Sequence, residues 1–212
     1  LIDDDSIVFL VDDDPSVRKS LGRLILSAGY RVEVFASAQE FLDREACEGP
    51  GCLILDVQMP GINGLDLQQS VGVVYGDALP IVFISGHGDI PTSVCAMKAG
   101  AVDFLPKPFP AEVLFNAVEE ALAKSRHELT DRTRLMEIRK RLALLTPREY
   151  EVLSFVVSGR PNKQIAAELG VTEKTVKVHR GRVFQKMGVQ SLAELVRVTE
   201  KVGISSRALS ES

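Results

Sequence analysis

"IVFLVDDDPSV", Ile7 to Val17, is the stretch whose reading decides the fold. Five apolar residues run directly into Asp12, Asp13 and Asp14, and Pro15 follows. A short run of β-branched and aromatic residues closed by turn formers reads as a strand buried on both faces. The pattern returns along the chain. Arg31–Phe35, Cys52–Leu55, Ile81–Ile84 and Ala101–Leu105 read as further strands. Between them, Ser16–Ala28, Ser37–Arg44, Gly64–Val74, Pro91–Ala99 and Pro110–Lys124 carry helical periodicity. Pro91 and Pro110 suit first-turn positions, and Gly100 suits a helix end. Strand and helix alternating five times predict an α/β fold, a doubly wound five-stranded parallel sheet covered on both faces. Sites in such sheets gather at the carboxyl ends of the strands. Asp14, before Pro15 and an apolar-periodic helix, reads as an N-cap. Asp3 to Asp5 precede the strand and read as a solvated tail.

The charge is unevenly spread. Residues 1–125 carry −11, residues 126–143 carry +3 and residues 144–212 carry +4. An acidic first part and a basic last part imply two domains with different partners, the basic one suited to a polyanion. The 212 residues, 45% hydrophobic, can bury two modest cores. No apolar run reaches the ~18 residues of a membrane span, and no basic-then-apolar leader opens the chain. Cys47, Cys52 and Cys95 fit neither a metal spacing nor a disulfide framework, and read as reduced thiols of a cytoplasmic protein. The expected layout is a first domain over 1–124, a helical linker over 125–143, a small helical domain over 144–205 and a tail over 206–212. Leu135, Ile138, Leu142 and Leu145 recur at three-four spacing in and after the linker, which reads as a solvated helix or a short coiled-coil seam.

The last part is all-α, with four helices. "LTPREYEVL" opens on Thr146, with Pro147 next and Glu149 three residues on, a capping-box pattern. "NKQIAAELGVTEKTVKVHRGRVFQKMG" reads as two helices joined at Gly170–Val171, which is helix-turn-helix geometry. On the second helix Val176, Val183 and Met187 share an apolar face. Lys174, Lys177, Val178 and Arg182 lie away from it, where cations reach phosphates and base edges and a valine meets a thymine methyl. Thr172 reads as the cap of this helix and as a candidate phosphate contact. Gly181 falls at a groove-facing position and leaves no side chain to read a base.

The first, acidic part holds a second candidate site. Asp12 and Asp13 end the first strand, Asp56 ends the third, Ser85 ends the fourth and Lys107 follows the fifth. Converging carboxylates repel, and a hard divalent cation with oxygen ligands, such as Mg²⁺, removes that cost. Carboxylates, a hydroxyl and an ammonium together describe an anion-transfer site built around a metal. These residues resemble the response-regulator receiver domain over roughly residues 5–124. The resemblance implies Mg²⁺ on Asp12, Asp13, Asp56 and the backbone carbonyl of Gln58, with Asp56 as the phosphoacceptor. It implies phosphoryl contacts from Ser85 and Lys107, an aromatic switch at Phe104 and a cis Lys107–Pro108 peptide. His87, in "SGHGD", reads as a loop residue.

"LTPREYEVL", "TVKVH" and "KMG" resemble the LuxR-type DNA-binding domain over roughly residues 142–205. The two in series are similar to FixJ-like response regulators, with the styrene- and toluene-responsive members nearest. That resemblance implies a sensor histidine kinase as donor, double-stranded promoter DNA as target, homodimerisation on phosphorylation, RNA polymerase as a further partner, and activation of transcription. It implies no enzyme activity beyond self-phosphorylation and autodephosphorylation. Two other readings stand beside it. One is an aspartyl-phosphate phosphatase of the haloacid dehalogenase type, which wants an Asp-x-Asp nucleophile after the first strand. The other is a constitutive DNA-binding protein with a degenerate receiver.

Overall fold

The computed structural model describes residues 6–45, 49–86 and 90–204. Asp3 to Asp5, Cys47, His87, Asp89 and the tail over 206–212 lie outside the described residues. The chain divides into two compact units, Leu1–Thr130 and Asp131–Ser212.

The first unit is the expected doubly wound sheet. Strands β1 (Ile7–Val11), β2 (Arg31–Phe35), β3 (Gly51–Asp56), β4 (Ile81–Ser85) and β5 (Asp103–Pro106) alternate with helices α1 (Pro15–Ser27), α2 (Ala38–Leu42), α3 (Gly64–Tyr75), α4 (Ile90–Lys98) and α5 (Ala111–Ala143). The strand order is β2-β1-β3-β4-β5, and every pairing is parallel. The order reverses at β1, so β1 and β3 are neighbours and their carboxyl ends form the switch point at which such sheets bind ligands. Alternate strand residues divide between two cores. Phe9, Val11, Leu53, Leu55 and Phe83 meet α2 and α3 through Phe41, Leu67 and Val71. Val8, Leu10, Ile54, Val82 and Ile84 meet α1 and α5 through Ile25, Leu114 and Val118. Side chains that point to opposite faces at every second residue must be apolar at every position when both faces are covered, which is why β1, β3 and β4 read as unbroken apolar runs.

β5 starts two residues later than the sequence suggests. Gly100 takes a positive φ, and the Gly100 and Ala101 N–H groups donate to the Met97 and Ala96 carbonyls. Ala101 is spent closing α4 rather than opening the strand, the usual use of glycine beyond a helix end. Asp14 caps α1, its carboxylate accepting the Ser16 N–H at 2.7 Å.

The second unit contains α6 (Pro147–Val157), α7 (Asn162–Leu169), α8 (Glu173–Met187), α9 (Leu192–Glu200) and the last turns of α5. Its core is Val152, Leu153, Val156, Ile165, Val176, Val183, Met187 and Leu195. Ile138 is buried in that core, and Leu142 and Leu145 pack against it. This corrects the solvated-linker reading. The three-four stripe is the apolar face of a helix used by the second unit's own core. The capping box at Thr146 and Glu149 forms with both of its bonds. α7 ends at Gly170 in the left-handed conformation, and Thr172 caps α8, accepting the Thr175 N–H at 3.2 Å.

Candidate functional site

The register of the sheet brings the acids together. Val11 pairs with Leu55, Asp56 with Ile84 and Ser85 with Pro106, so Asp12, Asp56, Ser85 and Lys107 leave their strands along one edge. Lys107 lies at the centre. Its Nζ donates to Asp12 Oδ2 at 2.7 Å and to Asp56 Oδ1 at 3.0 Å. Asp12 is 1% exposed and Asp56 6%. The other oxygen of each carboxylate is also engaged. Asp12 Oδ1 accepts the Asp14 N–H at 2.8 Å, and Asp56 Oδ2 accepts the Gln58 N–H at 3.1 Å. Arg18 donates to the Asp12 carbonyl at 2.6 Å and ties α1 to the same edge.

The electrostatics favour reactivity at Asp56. Burial raises its pKa. The hydrogen bond and charge of Lys107 pull against that, the neighbouring Asp12 charge adds to it, and the Gln58 N–H opposes it, with a net rise. Burial acts to lower the Lys107 pKa, but its hydrogen bonds to Asp12 and Asp56 outweigh burial and the net shift is upward. One ammonium therefore serves two desolvated carboxylates, and the acid pocket keeps an excess of negative charge.

The other expected site residues fall as follows. Asp13 is exposed and turned out from the Lys107 cluster, so the described residues hold no ready-made group of three metal-ligating side chains. Ser85 is buried at the strand end, its carbonyl accepting the Lys107 N–H at 2.7 Å. Phe104 is half-buried, with its ring centroid 6.1 Å from that of Phe83. The Lys107–Pro108 peptide is cis. Asp66 lies in the first turn of α3, and Asp103 accepts the Phe104 N–H. Cys52 is wholly buried, its thiol pushed up to about 12 by burial, and Cys95 is a free, exposed thiol.

In the second unit α8 buries Val176, Val183 and Met187 and exposes Lys174, Lys177, Val178 and Arg182. The two helices of the turn are held by Arg180, which donates to Asn162 Oδ1 at 3.2 Å. The far end of α8 is anchored by two cations that sequence reasoning missed. Lys186 Nζ donates to Glu149 Oε2 at 2.6 Å and to the Leu144 carbonyl at 2.9 Å. Arg141 donates to the Met187 carbonyl at 3.1 Å, passing over Gly188, where a Cβ would crowd its guanidinium. These partners lie far apart in the chain, and no periodicity signals them.

The first unit thus carries an acid-lined switch point, and the second a helix-turn-helix with a cationic outer face suited to DNA. Comparison with known proteins gives the family. Residues 8–119 match the response regulator receiver domain, and residues 143–199 match the bacterial regulatory proteins of the luxR family. The chain is 47% identical over 200 residues to the response regulator protein TodT of Pseudomonas putida, covering 93% of this chain and 86% of that one. It is 41% identical over 198 residues to the transcriptional regulatory protein FixJ of Azorhizobium caulinodans, covering 93% of each. Among solved structures, the response regulator StyR matches with a TM-score of 0.82 at 47% identity, over 93% of this chain and 99% of that one. The chain belongs to the transcriptional response regulators that join a receiver domain to a LuxR-type DNA-binding domain. Among the described residues, no helix is long and apolar enough to cross a membrane.

Proposed function

We propose that Asp56 accepts a phosphoryl group from a sensor histidine kinase and that the modification promotes pairing of the chain on promoter DNA. The observation that carries this is Lys107, whose ammonium bridges the buried carboxylates of Asp12 and Asp56 at the switch-point edge. A carboxylate relieved of water and fixed by one ammonium is poised as a nucleophile. An Asp56 oxygen attacks phosphorus, the bond from phosphorus to the donor imidazole nitrogen breaks, and the imidazole leaves with that electron pair. Lys107 then stabilises the oxygens of the transferred group, and the Ser85 hydroxyl donates to them. Asp12 and Asp56 share one lysine and leave one negative charge in excess, and every donor is a hard oxygen, so the buried pair fits a divalent cation. Asp12, Asp56 and the Gln58 carbonyl, with Asp13 turned inward, would hold Mg²⁺, which would supply positive charge to the phosphoryl group.

An inward turn of Phe104 would couple the modification to the face of α4, β5 and α5, through which two receivers pair. The paired second units then bind a two-fold operator. Thr172, Lys174 and Arg182 contact the backbone, while Lys177 and Val178 reach the bases. A promoter-bound activator of this kind works in the cytoplasm with RNA polymerase, and its only catalysis is its own phosphorylation and autodephosphorylation. The phosphatase alternative is disfavoured because Asp14, the acid after Asp13, is spent as the cap of α1.

The test is treatment with acetyl phosphate and Mg²⁺, followed by mass spectrometry and duplex binding. The expected result is one hydroxylamine-labile adduct, absent from Asp56→Asn, with tighter DNA binding. An Asp56→Asn protein that still forms the labile adduct excludes Asp56 as the acceptor.

A further inference from the structure

α8 presents one continuous outer stripe of exposed residues, Lys174, Lys177, Val178, Gly181 and Gln185, opposite its buried face. Their three- and four-residue spacing keeps them on one side of the helix. Gly181 stands in the middle of the stripe. Its φ is not positive, and a Cβ added there would meet nothing within 4 Å. Neither the backbone nor the chain's own packing requires glycine at this point. Glycine is nevertheless, after proline, the least favourable residue for a helix interior. The position is open to a group that lies outside the chain.

The shape of the gap indicates what that is. Helical side chains lean toward the N-terminus, so the Val178 side chain, 48% exposed, leans away from Gly181, and nothing lies within 4 Å of a Cβ built there. The surface falls into a hollow of about 320 Å³ lined by Arg180, Gly181, Phe184, Gln190, Ser191 and Leu192. Gly181 lines this hollow with no side chain of its own, and Val178, three residues before it on the stripe, is apolar. In the major groove the apolar group that projects from a base edge is the C5-methyl of thymine.

We propose that Gly181 leaves a methyl-sized recess in the reading face of α8 and that the recess takes the C5-methyl of an operator thymine. The recess rests on the DNA-binding reading above and adds a specificity-determining position to it. Gly181 is then selective through absence: alanine puts a methyl group where the base would put its own.

The experiment is a methyl exchange between protein and DNA. Duplexes are selected from a random pool with the phosphorylated full-length chain, and each thymine is replaced in turn by deoxyuridine. At one position the replacement weakens wild-type binding about fourfold, the worth of one buried methyl. Gly181→Ala binds the thymine duplex about tenfold or more weakly, within the range of a mismatched base pair. The deoxyuridine duplex at that same position restores the alanine variant. Gly72→Ala is the control, because Gly72 is an equally unconstrained helical glycine in α3, away from the reading face, and it changes neither affinity. Unchanged or tighter binding of the thymine duplex by Gly181→Ala overturns the recess, as does a loss that no deoxyuridine relieves. A wild-type chain that selects no duplex overturns the DNA-binding reading and the recess with it.

Discussion

Asp56 in the first unit and Glu149 in the second are both buried carboxylates bound by a lysine, yet their surroundings push them in opposite directions. Asp56 is raised, chiefly by burial, despite Lys107 at 3.0 Å. Glu149 is 2% exposed and is pushed down to about 2, chiefly by its hydrogen bond to Lys186 and then by the Thr146 N–H. The difference lies first in burial, the largest influence on Asp56 and a lesser one on Glu149, and then in what the lysine must serve. Lys107 is shared, and its shorter contact goes to Asp12. Lys186 serves one carboxylate and a neutral carbonyl, and Glu149 gains a backbone donor from the capping box as well. A carboxylate with donors to spare is a structural bolt. A carboxylate that must share one ammonium with a second acid keeps unbalanced charge, which suits it to a cation and a phosphoryl group.

Breaking the shared lysine should have the largest effect. Lys107→Met leaves Asp12 and Asp56 facing each other without their ammonium and should cost ~1–3 kcal/mol at neutral pH. Phosphorylation by acetyl phosphate should slow by at least ~100-fold, the scale for losing one preorganised transition-state contact. The stability loss should shrink in acid, because protonation removes the charges that repel. Urea melts of both proteins at several pH values check this, and a loss that grows in acid would argue against a shared counter-charge.

Glu149→Gln comes next, and it should lower the melting temperature of the second unit by several degrees at neutral pH while leaving phosphorylation at Asp56 unaltered. The folded pKa of Glu149 is depressed, so the stability it contributes is fully present above about pH 4.5 and is lost as the pH falls toward about 2. The gap between wild type and variant should therefore close over that window. Calorimetry of the two proteins from neutral to strongly acid pH gives the comparison.

The smallest effect should have the opposite sign. The folded pKa of Asp56 is raised, so ionising it costs stability as pH climbs above its unfolded value. Asp56→Asn should then be as stable as wild type or gain up to ~1 kcal/mol at neutral pH, with no gain in acid. A variant that abolishes modification while stabilising the fold separates chemistry from stability more sharply than either lysine change.

The strand ends were legible because a strand covered on both faces must be apolar throughout, and the first polar residue then marks where it leaves the sheet. Asp12 and Asp56 follow from that rule, and the caps at Asp14, Thr146 and Thr172 follow from local hydrogen-bond chemistry. Tertiary choices were not legible. Nothing in "DDDP" distinguishes Asp12, turned in against Lys107, from Asp13, turned out to solvent. The stripe through Ile138 has the period of any amphipathic helix, and its partner is the core of the second unit. Lys186 and Glu149 are 37 residues apart and meet only after α6 and α8 pack. Gly181 was legible as an anomaly, but the open space around it needed coordinates.

The contrast between a reactive and a structural carboxylate is tested most directly by titrating both in one sample. Carboxyl-carbon NMR of the full-length chain, with Asp56 and Glu149 assigned by their amide variants, reads both midpoints. Asp56 is expected to titrate above the ordinary value of 3.8, and Glu149 near 2. An Asp56 midpoint at or below that of Glu149 would contradict the distinction between them.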